Sequence, residues 1–273
     1  MTNTQLRIAS ALVMVSIIGI CAYLGPMAIQ ILLLISGLIL VDEISINLLK
    51  KQRTRPSYII SMISFCAGYI YFNFIDSAAI YFENIIHVST VINISLCSYL
   101  FFNKMGNLAF IKIIKKHAYL IGLVFLFPFL SMSFLINKDN WQFYIIFLLI
   151  LTYSVDTGAW FVGKNFGNKK LWPSISPKKT QAGAIGGVFV SVFVSAFYLY
   201  FNNVNLNIYL ILSMILITML AQIGDLIESK FKRQLNVKDS SNLIPGHGGI
   251  YDRIDSLVFV APFFAMMVLI QMS

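Results

Sequence analysis

The chain has 273 residues, 58% of them hydrophobic and only 11% charged, with a net charge of +9 and a mean hydropathy of +0.81. Soluble globular chains carry about 45–50% apolar and about 25% charged residues, so an ordinary soluble domain is excluded, and so is disorder, which lacks this apolar mass. Cys21, Cys66 and Cys97 cannot all pair, lie inside apolar runs without metal-type spacing, and read as buried thiols rather than a disulfide framework.

A helix crosses the roughly 30 Å hydrocarbon layer in about 20 residues, so charge-free stretches mark the spans. Arg7 to Asp42 encloses a run punctuated by Gly25-Pro26, which reads as two helices, about 8–24 and 27–44, forming an uncleaved hairpin rather than a signal peptide. The end of the second is the least defined, because Asp42 and Glu43 fall there. Further stretches lie between Arg55 and Asp76, from Glu83 to Lys104, between His117 and Lys138, and from Trp141 past Asp156 to Val162. The run from Thr180 to Gly224 is broken by Asn202-Asn203-Val204-Asn205 and yields helices at about 184–201 and 207–227, and the last spans about 255–271. The expected fold is all-α: a polytopic integral membrane protein of about nine transmembrane helices. Residues 1–150 read as N-terminal transmembrane helices and 151–273 as a C-terminal catalytic region with loops 163–183 and 228–254.

Lys and Arg stay on the cytoplasmic side. With a cytoplasmic N-terminus, the inner segments 1–7, 45–56, 103–117, 163–183 and 228–254 hold 19 of the 20 Lys and Arg, all but Lys138. The positive charge then belongs to the cytoplasmic face and suits anionic lipid or an anionic substrate. No nucleic-acid module is present, so nucleic acid is not an expected partner.

Five carboxylates stand out at inner helix ends: Asp156, Asp225, Glu228, Asp252 and Asp255. Ionisable groups at membrane depth are costly and usually functional. Asp225 and Glu228 are three apart, as are Asp252 and Asp255, so on a helix each pair shares one face. Solvated helix-end charges are the bland alternative for any one of them; two such pairs around one basic loop favour a site. Clustered carboxylates suit a hard cation such as Mg²⁺, which takes one or two carboxylates plus substrate phosphates. Zinc fits less well, because His247 is the only histidine in the loop. Carboxylate-bound metal together with Lys and Arg is equipment for phosphoryl-type transfer. The residues alone thus indicate an integral membrane enzyme with a metal-dependent site for phosphate-bearing substrates.

Residues 229–255, SKFKRQLNVKDSSNLIPGHGGIYDRID, resemble the signature of the phosphatidate cytidylyltransferases, or CDP-diglyceride synthetases. The pattern is met by Ser229, Phe231, Lys232, Arg233, Lys238, Asp239, Pro245, His247, Gly248, Gly249, Ile250, Asp252, Arg253, Ile254 and Asp255. Upstream, Asp156-Thr157-Gly158-Ala159-Trp160, Gly163-Lys164, Gly167 and Ser176-Pro177-Lys178-Lys179-Thr180 before Gly183 resemble the family's earlier motifs. The likeness covers about 152–255 by motif; the first half matches in hydropathy and helix count. One departure is Gln181-Ala182, where members usually have an apolar residue and then often Glu or Gln. Ala182 can neither ligate nor accept a hydrogen bond.

The resemblance implies transfer of the cytidylyl group of CTP to phosphatidate, giving CDP-diacylglycerol and pyrophosphate. In the site it implies, Asp225 and Asp252, with Asp255 or Asp156, hold Mg²⁺. Lys232, Arg233, Lys238 and Arg253 neutralise phosphate charge, and Asp239 joins the catalytic set. Ser176, Lys179, Thr180 and Ser229 donate hydrogen bonds to substrate oxygens, while His247 with Gly248 and Gly249 shapes a turn on the nucleotide. The expected setting is multi-pass in the inner (cytoplasmic) membrane, with the active site facing the cytoplasm; a homodimer is compatible with it. Two alternatives stay open: a membrane kinase or nucleotidyltransferase acting on a polyprenyl lipid, and a cation-coupled transporter. Against the transporter, the charges cluster at one face, whereas transporter sites lie near the midplane, often in inverted repeats.

Overall fold

The computed structural model describes residues 3–75 and 80–271, with side chains from Gln5 onward. Asp76, which bounds the third apolar run, lies outside the described residues. Helices α1 (Asn3–Leu24) and α2 (Pro26–Asp42) meet at Gly25, whose φ of 107° is open to glycine, and Pro26 starts α2 where a missing N–H costs nothing. A π-helical stretch (Glu43–Leu48) continues α2. Helices α3 (Pro56–Phe74), α4 (Phe82–Phe102), the short amphipathic α5 (Ala109–Lys116), α6 (Ile121–Ile136, entered through a 3-10 turn at Ala118–Leu120) and α7 (Trp141–Phe166) follow. A hairpin of β1 (Lys170–Trp172) and β2 (Ser176–Thr180) pairs Lys170 with Thr180 and Trp172 with Ser176. Helices α8 (Gln181–Phe201), α9 (Ile208–Gln234) and α10 (Tyr251–Gln271) complete the order. Nine helices among the described residues are long and apolar enough to cross a membrane, so the chain is an all-α polytopic membrane protein. Its three cysteines are free and half-buried, more open than expected.

The helix ends near the signature differ from the expectation. α9 runs to Gln234 instead of about 227, and α10 begins at Tyr251 instead of about 255. A charge-free criterion stops at the first ionisable residue, but these side chains have protein partners and the helix continues through them. Lys230 is buried at 1% exposure. Its Nζ donates to the carbonyls of Tyr99 (2.7 Å), Leu100 (2.9 Å) and Asn103, and lies 4.5 Å from the Tyr99 ring centroid. It therefore satisfies the open carbonyls at the C-terminus of α4, where a cation is also favoured by the helix dipole. Gln234 extends the clamp, donating to the carbonyls of Met105 (3.0 Å) and Asn107 (3.1 Å) and accepting from the Tyr99 hydroxyl. Asn236, at φ 58°, then ends α9, with Val237 N–H returning to Lys232 O at 3.0 Å.

Two hydrophobic cores result. One joins α4, α7, α8, α9 and α10, and the other joins α2, α3, α4, α6 and α10. α10 belongs to both, and Asn93 on α4 donates to its Phe259 carbonyl at 2.7 Å. The ends are sorted as well. Arg7 Nε donates to Gly246 O at 2.9 Å, so the start of α1 lies beside the loop before α10. Gln30 pairs with Asn137, next to Lys138, at 2.5 Å, joining the start of α2 to the end of α6.

Substituting Lys230 by Met leaves three carbonyls without their donor. It is expected to lower the stability of the full chain in detergent by about 2–4 kcal/mol, read as a drop in melting temperature. An unchanged melting temperature would remove Lys230 from the clamp.

Candidate active site

Thr180 Oγ1 accepts from Gly183 N–H at 3.1 Å and so caps α8, which fixes β2 against the helix. α8 then runs closely along α7: a Cβ on Gly183 would lie 2.7 Å from the Ala159 carbonyl oxygen. Small residues allow two membrane helices this approach. The α7–α8 pair, the hairpin and α9 enclose a cavity of about 520 Å³ lined by Asp156, Lys164, Lys170, Lys178, Lys179 and Asp225 among others. Four ammonium groups around one cavity make it attractive to a polyanion.

At the cavity wall Asp225 forms an ion pair with Lys179 and accepts from Ser229 Oγ at 3.2 Å. One turn along α9 is Glu228, and across from it on α10 is Asp255. Carboxylate oxygens of Asp225, Glu228 and Asp255 all lie within 4.8 Å of one another. Lys232 Nζ stands 2.6 Å from Glu228 Oε1 and 2.6 Å from Asp252 Oδ1. Four carboxylates thus face two ammonium groups, Lys179 and Lys232. Hard oxygen donors with unbalanced negative charge suit Mg²⁺, and the trio has the chemistry to hold it.

The structure sets several of the expected residues apart. Asp252 is outside the trio. Its Oδ1 meets Lys232, and its Oδ2 accepts from Gly249 N–H (2.8 Å), Ser240 N–H (2.8 Å) and Ser240 Oγ (3.0 Å). Through these bonds it ties the loop 240–249 to Lys232 of α9. Glu228, whose spacing from Asp225 is visible in the sequence but which the signature pattern omits, occupies the third corner instead. Asp156 lines the same cavity, is not one of the trio, and interacts electrostatically with Asp225, Asp255, Lys179 and Arg253. Lys232 is enclosed between carboxylates with 9% of its side chain exposed, so its charge serves them. Arg233 donates to Val237 O at 3.0 Å, whereas Lys238, Asp239 and Arg253 are exposed. Ser176 and Thr180 sit at the two ends of β2.

Gly248 and Gly249 direct their N–H groups inward, to Ile244 O (3.1 Å) and Asp252 Oδ2 (2.8 Å), so both amides are taken up by the turn itself. Gly248 takes φ 86°, open to glycine, and a Cβ there would collide with Asp252 Oδ2. His247 Nδ1 lies 2.7 Å from Ser10 Oγ on α1. Burial, with the positive charges of Arg253 and Arg7, holds its imidazole below the ordinary value. The contribution of the N-terminal half was not foreseen. Ser10 and Arg7 reach the loop from α1, and Glu43, at the start of the π-helical stretch, grips it from α2. An acid at the end of an apolar run was the available signal for Glu43.

The family model described as "Cytidylyltransferase family" matches residues 5–271. The chain is similar to proteins named phosphatidate cytidylyltransferase. That of Staphylococcus aureus (strain COL) is 46% identical over 132 residues, 48% of this chain and 51% of that protein. That of Staphylococcus haemolyticus (strain JCSC1435) is 44% identical over 142 residues, 52% and 54% of the two chains. That of Bacillus subtilis (strain 168) is 43% identical over 129 residues, 46% and 48%. The chain spans about half the length of the curated relatives it matches.

Replacing Lys232 by Met strands two buried carboxylates, an arrangement that typically costs about 3–5 kcal/mol. Thermal unfolding of that variant without any substrate is expected at a clearly lower temperature than wild type. Wild-type unfolding with a defect appearing only in substrate binding would instead make Lys232 a phosphate ligand.

Proposed function

The chain belongs to the cytidylyltransferase family, and from that premise we propose that it transfers the cytidylyl group of CTP to phosphatidate. The observation that carries the proposal is the carboxylate trio of Asp225, Glu228 and Asp255 at the edge of a lysine-lined cavity. The names of the relatives support the choice of substrates.

In the proposed reaction an oxygen of the phosphatidate phosphate attacks the α-phosphorus of CTP. A new P–O bond forms, the bond to the β-phosphate breaks, and pyrophosphate leaves with the electron pair. A phosphate monoester is largely ionised near pH 7, so the nucleophile needs no strong base. The difficulty is bringing two anions together. Asp225, Glu228 and Asp255 would hold the Mg²⁺ ion, whose positive charge would offset the negative charge of the reacting phosphates. Lys164, Lys170, Lys178 and Lys179 would draw the triphosphate into the cavity. The ion pair between Lys179 and Asp225 would open as Lys179 turns to phosphate. Arg253, exposed at the start of α10, is suited to the lipid phosphate. Lys232 and Asp252 would keep Glu228 and the loop in place, and Ser229 would orient Asp225.

The charged cluster sits at the end of the bundle shared by the starts of α1 and α10 and the end of α9. We assign this end to the cytoplasmic face of the inner membrane, because the basic segments collect there and CTP is delivered from that side. The headgroup of phosphatidate in the bilayer then lies at the depth of Asp255.

Purified protein in detergent, given labelled CTP and phosphatidate, is expected to release pyrophosphate only when Mg²⁺ is added. Asp225→Asn and Asp255→Asn are each expected to lower turnover by about 10²–10³-fold, whereas Asp252→Asn chiefly lowers stability. Equal turnover with a polyprenyl phosphate, or turnover in the presence of excess chelator, would replace this reading.

A further inference from the structure

We propose that Glu43, which lies outside every motif of the site, is a positioning residue for its carboxylates: it holds the loop 240–250 and the first turn of α10, and through them Asp252 and Asp255. The inference rests on the trio being the reaction centre.

The Glu43 carboxylate is buried, with 3% of the residue exposed. Four donor groups stand within hydrogen-bond distance of it, all in the signature segment. Ser241 Oγ (2.6 Å) and Ile250 N–H (3.0 Å) reach Oε1. Tyr251 N–H (3.0 Å) and Ser240 Oγ (3.1 Å) reach Oε2. Among the described residues it forms no ion pair with Lys or Arg, so its place is set by donors.

Two of those donors are the amides of Ile250, just before α10, and of Tyr251, its first residue, which have no partner inside the helix. An N-cap side chain accepts from the amides two or three positions further on, so it would not serve these two. Here the residue before Tyr251 is Ile250, which has no polar side chain, and the acceptor comes from the π-helical stretch that follows α2. A carboxylate at that end also meets the positive pole of the helix dipole. The loop packs closely on this acceptor: a Cβ on Gly249 would lie 2.5 Å and 2.6 Å from the two Glu43 oxygens.

The connection to the site is direct. Ser240 Oγ stands between Glu43 Oε2 (3.1 Å) and Asp252 Oδ2 (3.0 Å), and its single proton serves one of them at a time. Asp252 in turn holds Lys232, and Lys232 holds Glu228 of the trio. Asp255 stands one turn along the helix that Glu43 caps. A shift of α10 at its first turn therefore displaces Asp255 relative to Asp225 and Glu228, and displacements of about 1 Å at a reacting centre can cost about 100-fold in rate.

The test uses the full chain in detergent with Glu43→Gln, Glu43→Asp, Ser241→Ala and the Glu43→Gln/Ser241→Ala double variant. Glutamine keeps one acceptor oxygen and turns an amide NH₂ toward donors. Amide exchange followed without substrate or metal is expected to speed up about tenfold at 240–252 in Glu43→Gln and to stay unchanged in α4 and α7. Turnover is expected to fall about 100-fold while KM for CTP stays within about threefold, with partial recovery in Glu43→Asp. Ser241→Ala alone, the milder variant, is expected to slow turnover by about threefold and to add nothing to Glu43→Gln, as members of one network do. Unchanged exchange at 240–252, protection lost evenly over the whole chain, wild-type turnover in Glu43→Gln, or full additivity of the two substitutions would each overturn the proposal. A wild type inactive on CTP and phosphatidate refutes the reaction proposed above instead, and the exchange measurement then decides the role of Glu43.

Discussion

The structure depends on holding like charges together where water is scarce. Asp225, Glu228 and Asp255 keep carboxylate oxygens within 4.8 Å of one another. At that spacing two unit charges repel by about 3–4 kcal/mol at an effective dielectric constant of 20. Lys232, between Glu228 and Asp252, and Lys179, on Asp225, offset part of this. The proposed divalent cation would offset the rest, and it gives the cluster a reason to exist. A bundle built only for stability would fill such a place with apolar side chains.

Much of the surrounding polar network has the task of keeping α9 and α10 in register. Lys230 and Gln234 anchor the end of α9 to the carbonyls at the end of α4. Asp252 gathers Ser240 and Gly249 into the loop, and Glu43 receives the opening amides of α10. The N-terminal half thus does more than provide membrane spans: α1 meets His247, α2 meets the signature loop, and α4 receives α9. This division of labour supports a rigid frame on α9 and α10, with Lys170 and Lys178 of the hairpin and Lys164 of α7 lining the cavity beside it.

The membrane architecture was legible because the bilayer imposes length and apolarity on every span, and charge-free runs report both. The same rule misplaced the ends of α9 and α10, since it treats Glu228, Lys230 and Lys232 as loop residues although each has a buried partner. The hairpin at Lys170–Thr180 lay in a stretch with no apolar period to reveal it. Within the site, the i,i+3 spacing of Asp225 and Glu228 was visible, yet a signature pattern gives a sequence position without saying whether its oxygens are free. Asp252 and Glu228 differ in their partners, and only coordinates reveal that the amides of Ser240 and Gly249 donate to Asp252 Oδ2. Glu43 was the hardest to anticipate, because its partners lie about two hundred residues away in the chain.

The most direct measurement is anomalous diffraction from crystals of the full chain grown with Mn²⁺ in place of Mg²⁺. The account requires a peak within about 2.5 Å of carboxylate oxygens from both Asp225 and Asp255, with Asp252 still bonded to Lys232 and Ser240. A peak on Asp252 instead, or no peak between α9 and α10 at saturating Mn²⁺, would contradict it.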